Sequence, residues 1–135
     1  MYSALDIATS GLVAQRTRLT AISANVANAH TLKNDHGEYD PYRRRVVEFA
    51  AGDIEAGEPL GVRVAGIHED PSDLRPRYEP GSPYADEQGM VYYPNVNSVV
   101  EQMNAMEASR AYEAGISVIE ATKSMMTMAL EMLTP

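Results

Sequence analysis

The chain has 135 residues, 44% of them hydrophobic, enough for one domain with a modest core. Eleven basic against nineteen acidic side chains leave a formal charge of −8. That balance repels a phosphate backbone and gives no long-range attraction to anionic lipid, so nucleic acid and membrane surface are set aside as partners.

Cysteine is absent, which removes disulfides, thiolate catalysis and cysteine-ligated metals. The N-terminal stretch MYSALDIATSGLVAQRTR has no basic start, and Asp6, Thr9, Ser10 and Gln15 interrupt its apolar residues. It does not read as a secretory signal peptide. No segment reaches the roughly 20 apolar residues that span a bilayer, so neither a membrane span nor a lipid anchor is expected.

Residues 1–31 read as a helix. Leu5, Ala8, Leu12, Gln15, Leu19, Ile22, Val26 and Ala29 follow at alternating steps of three and four, a heptad seam interrupted only at Gln15. Gly11 inside it costs roughly 1 kcal/mol relative to alanine, so the helix depends on packing and its order is conditional. The seam runs out in ISANVANAHT. On periodicity alone Asn25 and Asn28 face water at a helix terminus.

Residues 32–94 hold every proline except Pro135, and most of the glycines. Strand-like runs lie between them at 45–50 (RVVEFA), 62–67 (VRVAGI) and 89–93 (GMVYY). Gly57, Glu58 and Pro59, and later Pro80, Gly81, Ser82 and Pro83, read as turns. A small, partly irregular β region is expected. The chain's three histidines, His30, His36 and His68, lack metal-protease spacing and read as loop residues in solvent. Arg43, Arg44 and Arg45 form the only basic cluster, read as a solvated face or as a charged contact for an acidic surface on the next copy.

Residues 95–135 read as a second long helix carrying two adjacent seams. One is Ala111, Ala114, Val118, Ala121, Met125, Met128 and Met132; the other is Tyr112, Gly115, Ile119, Thr122, Met126, Ala129 and Leu133. Together they make an apolar surface wider than one partner helix covers, so part of it is expected to face another chain. Methionine suits such an adaptable surface.

No phosphate-binding glycine loop, nucleophile elbow or spaced carboxylate pair occurs. An enzyme is not expected, and no catalytic residue, metal site or cofactor is assigned. The fold expected is mainly α with a small β region: long N- and C-terminal helices packed in a coiled-coil-like manner, and a short-stranded middle segment. Two structural roles share these seams: a subunit of an open assembly, and a stand-alone coiled-coil adaptor or export chaperone that closes into a defined oligomer.

SGLVAQRTRLTAISANVANAHT, residues 10–31, resembles the N-terminal signature of the flagellar axial proteins. PNVNSVVEQMNAMEASRAYEAGISVIEATKSMMTMALEML resembles their C-terminal signature. Between them the Glu-Asp-Pro-Ser, Tyr-x-Pro-Gly, Ala-Asp-x-x-Gly and Pro-Asn-Val-Asn elements resemble the proximal-rod branch of that family. Ser82, Gly115 and Met128 depart from its usual residues.

The resemblance implies a non-enzymatic building block of the bacterial flagellar basal body, exported unfolded through the flagellar type III apparatus to the periplasmic rod. Its implied partners are other proximal and distal rod proteins, the membrane-ring adaptor protein, the export apparatus and further copies in a helical lattice. On that reading Leu12, Leu19, Ile22 and Val26 pack on Tyr112, Ile119, Met126 and Leu133 within a subunit. Val118, Met125 and Met132 meet neighbours, and Asn25 and Asn28 set the register of packed helices as buried amides at the subunit interface.

Overall fold

The computed structural model describes residues 2–53, 55 and 57–134. Two long helices, α1 (Tyr2–Ala27) and α2 (Ser98–Leu133), bracket four strands, β1 (Arg45–Asp53), β2 (Glu58–Glu69), β3 (Arg75–Tyr78) and β4 (Met90–Tyr93). The chain is mainly α with a small β region.

The helices pack antiparallel. Leu12 lies against Gly115, Arg18 reaches Glu107 at 3.5 Å, and Asn25 reaches Glu101 at 3.2 Å. A Cβ at position 115 would sit 2.7 Å from Leu12 Cδ2, so the glycine is what lets the two helices close at that level. Ala14, Ala21, Ala108 and Thr122 are buried along with Ile22, and such small residues bring the axes near each other. Residue numbers in the contacts fall on α2 as they rise on α1. Tyr2 therefore comes level with the stretch around Lys123 to Met125, and roughly the last two turns of α2 project beyond α1.

Strands β1 and β2 form an antiparallel hairpin running from Arg45↔Glu69 to Asp53↔Glu58, with register shifts after Glu48 and after Ala51. It lies along α1 and is fastened at two levels. At one end Asn25 bonds both the N–H and the carbonyl of Arg45. At the other, Ser10 Oγ accepts the Val62 N–H at 3.1 Å and donates to the Ile7 carbonyl at 2.6 Å. The spacings agree: Ser10 to Asn25 is about 22 Å of helix, and Arg45 to Ala51, the partner of Val62, is about 20 Å of strand.

Gly61 makes the second fastening feasible. Its φ of +98° suits glycine, and a Cβ there would lie 2.6 Å from Ser10 Oγ. α1 is thus covered by α2 and by the hairpin.

Strands β3 and β4 pair antiparallel from Arg75↔Tyr93 to Tyr78↔Met90 over a second small core in which Val91, Pro94 and Val96 are fully buried. The Tyr39 hydroxyl donates to the Tyr92 carbonyl at 2.8 Å and accepts its N–H at 3.1 Å, which satisfies part of the outer edge of β4.

Four details differ from the sequence reading. β2 begins at Glu58, where a turn is expected, because the hairpin is long enough to follow α1. β3 contains Pro76 and gives no strand signal; it is tolerated because a two-stranded sheet has only edge strands. His68 sits on β2, 3.9 Å from Glu48, instead of in a loop. α1 stops at Ala27, where Asn28 Nδ2 takes the Ala24 carbonyl and the Thr31 hydroxyl bonds Asn28 Oδ1.

Candidate assembly interface

A buried polar clamp joins the elements. Asn25 is 1% exposed and makes four hydrogen bonds. Its Nδ2 donates to the Arg45 carbonyl at 2.9 Å and to Glu101 Oε2 at 3.2 Å. Its Oδ1 accepts the Arg45 N–H at 2.8 Å and the Tyr42 hydroxyl at 2.9 Å. Burial lifts the Tyr42 phenol above its ordinary value, against the pull of the Arg45 charge, so it stands as a donor.

Glu101, also 1% exposed, lies in the first turn of α2, where a carboxylate is favoured by the helix dipole. The carboxamide of Asn97 caps that helix by accepting from the N–H groups of Val99 and Val100.

Glu101 accepts from Arg44 Nε, and Arg44 Nη1 reaches Asp70 at 3.3 Å. Burial would lower the Arg44 pKa, but bonding to Glu101 and then to Asp70 outweighs it and the value is raised. Asp70 is held below the ordinary carboxylate range, first by the backbone N–H of Ser72, then by the Ser72 side chain, and also by Arg44. Asn95 completes the network: its Oδ1 accepts the Arg44 N–H at 2.8 Å, and its Nδ2 donates to Ser72 and to the Asp70 carbonyl. α1, β1, the loop after β2 and the start of α2 are thereby locked in one register.

The arginine cluster is mostly consumed here. Arg43 Nη1 donates to the carbonyls of Asp70 and Ser72, and Arg44 is paired as above. Only Arg45 leaves its side chain exposed, 5.6 Å over the Tyr42 ring. A charged contact with another copy is thereby reduced to Arg45, because the intrachain acids and carbonyls are nearer.

Beyond the clamp, α2 presents a bare face. Val118 is 54% exposed, Met125 58% and Met132 86%, with Met103, Met106 and Met128 also more than half exposed. At 100° per residue the five exposed methionines fall within an arc about 100° wide, well away from the side carrying Glu101, Ala108 and Thr122. From Ala114 onward that arc holds Ala114, Ser117, Ala121, Ser124, Met125, Met128 and Met132, with Val118 about 20° beyond its edge, none of them charged.

Of the residues expected at the intrasubunit seam, Ile22 is buried, and Leu12, Leu19, Tyr112, Ile119 and Met126 are half-buried. Val26 is exposed in the last turn of α1, and Leu133, on the projecting end of α2, has no level of α1 opposite it. Asn25, expected at an interface between subunits, is enclosed within this one. Asn28 bonds locally at the end of α1.

Sequence reasoning misses the partners Glu101, Asp70, Ser72 and Asn95. The one available signal is Glu101, an acid on the inward face of α2 among apolar neighbours. Among the described residues no group of three histidine or acidic side chains could hold a metal ion.

Two long antiparallel helices at the chain ends, a bare face on one of them and a small β insertion define an assembly subunit, and the comparisons say which kind. Residues 5–31 match the family model described as flagella basal body rod protein, and residues 87–132 match the C-terminal model of the flagellar basal body rod FlgEFG proteins. Flagellar basal-body rod protein FlgC of Borreliella burgdorferi is 39% identical, the alignment covering 98% of this chain and 97% of that one. The protein of the same name from Salmonella typhimurium is 40% identical, with 96% of each chain covered, and that from Bacillus subtilis 36%, also with 96% of each. The chain belongs to the FlgC family of flagellar basal-body rod proteins, and it is a structural rod subunit. The adaptor reading has no support among these relatives.

Proposed function

We propose that this subunit builds the proximal rod by setting the bare face of α2 against the helices of neighbouring subunits, in an open helical array that carries torque from the membrane ring to the hook. The observation that carries the reading is the uncharged, solvent-facing arc from Ala114 to Met132, with no further helix among the described residues to cover it. Each large apolar side chain buried there contributes roughly 1.5 to 3 kcal/mol, and contacts between unlike faces that do not close generate a filament.

Export through the flagellar type III apparatus, a periplasmic position, contact with the membrane-ring adaptor and with the other rod proteins, and the lack of any enzymatic role complete the proposal. The clamp fits it: a chain that travels unfolded must find one register on arrival, and a many-partner polar network rewards only that register.

The test is a truncation after Ala121 expressed in cells lacking the full-length protein. The shortened chain is expected to be exported yet absent from purified basal bodies, with electron microscopy showing a membrane ring without a rod. Rods of normal appearance containing the truncated chain would overturn the reading.

A further inference from the structure

Methionine differs from the leucine that would fill an apolar face equally well in one chemical respect: its thioether can be oxidised. In α2 the exposed methionines are all on the bare face, and Met126, on the inward side, is half-buried. Met90 in β4 is likewise half-buried. Met125, Met128 and Met132 place three exposed methionines on the arc on which the proposed lattice contact rests, and the i, i+3 pair Met103 and Met106 continues the same side of α2 toward its N-terminus.

We propose that these five thioethers are a modification site, oxidised by peroxide-class oxidants in the free subunit, and that this modification prevents incorporation. The step is a two-electron oxygen transfer. The thioether sulfur attacks one peroxide oxygen, the O–O bond breaks, an S–O bond forms, and the other oxygen leaves as water after proton transfer. Sulfur is oxidised by two electrons and the peroxide is reduced by two.

Each product is a polar, chiral sulfoxide in place of a flexible apolar side chain, so a face that joined subunits by shedding water would instead hold water. Once a neighbour covers the face the sulfurs are shielded. Sensitivity therefore belongs to the interval before incorporation. This inference rests on the lattice-face reading above.

The experiment exposes cells that are building flagella to a hydrogen peroxide pulse. Sulfoxide is then mapped by peptide mass spectrometry in free subunits and in newly completed basal bodies. Free chains are expected to carry sulfoxide at Met103, Met106, Met125, Met128 and Met132 ahead of Met90 and Met126, and new basal bodies are expected to be depleted of oxidised chains severalfold. A variant with all five replaced by leucine, whatever its own starting level of incorporation, is expected to lose nothing further on treatment. Equal sulfoxide fractions in free and newly incorporated chains, or faster oxidation of Met90 and Met126, would overturn the proposal. Val118→Glu, untreated, separates the two claims: if it incorporates normally the lattice-face reading fails, whereas if it is excluded while oxidised wild type incorporates, only the oxidation proposal fails.

Discussion

Asn25 and Asn28 stand three residues apart with the same side chain, and the structure gives them unequal weights. Replacing Asn25 with leucine strands the N–H and carbonyl of Arg45, the Tyr42 hydroxyl and one oxygen of buried Glu101. Each buried polar group left unpaired costs about 1 to 3 kcal/mol. Asn25→Leu is therefore expected to lose at least about 3 kcal/mol, a fall in melting temperature of roughly 10 °C for a domain of this size. Asn28→Leu gives up one bond to the Ala24 carbonyl and one from Thr31 at a helix end, and is expected to lose less than about 1 kcal/mol. Thermal unfolding followed by circular dichroism reads both, and equal losses would refute the clamp.

The same network sets an acid limit. Because the folded pKa of Asp70 is depressed, its contribution is present above its unfolded value of about 3.9 and is lost as pH falls through the lower folded value. The urea midpoint is expected to decline below about pH 4, and to decline less in Asp70→Asn. That Asn25 is buried was not legible from helical spacing, which faces it to water; the family resemblance pointed to a buried amide. That its partners are Arg45, Tyr42 and Glu101 was not legible either, since they lie 17 to 76 positions away and only tertiary folding joins them.

Among the elements, the helices were legible because their apolar seams repeat over many turns, and β1, β2 and β4 because alternating β-branched and aromatic residues mark them. β3 was hidden by Pro76, and the extent of β2 by Gly57 and Pro59, residues that locally read as a turn. The hairpin's placement on α1 was illegible as well, for it depends on a hydroxyl and a missing Cβ.

That contact yields a prediction. Gly61→Val introduces a side chain into a positive-φ position already filled by Ser10, which costs at least about 1 to 3 kcal/mol or forces the hairpin away. Hydrogen exchange is expected to quicken in residues 5–14 of α1, while amides near Asn25, still held by the clamp, keep their protection. Uniform loss of protection along α1 would show that the hairpin is not fastened at two independent levels.

At the scale of the whole molecule, two forces compete in bringing copies together. The net charge of −8 makes copies repel, whereas the arc from Ala114 to Met132 attracts by burying apolar surface. Were assembly driven by the arginine cluster meeting an acidic neighbour, added salt would weaken it. The structure instead spends Arg43 and Arg44 inside the subunit, so salt should mainly screen repulsion. Raising ionic strength from about 0.01 M to about 0.15 M shortens the Debye length from roughly 30 Å to roughly 8 Å. Sedimentation velocity of concentrated subunit, alone or with other purified rod proteins, is therefore expected to shift toward larger species over that range. Replacing Arg43, Arg44 and Arg45 together is a poor test of surface charge, because it breaks the clamp; Arg45→Glu alone leaves Arg43 and Arg44 in place. Association of Arg45→Glu should remain salt-promoted, and a switch to salt-weakened association in the wild type would return the interface to the charges.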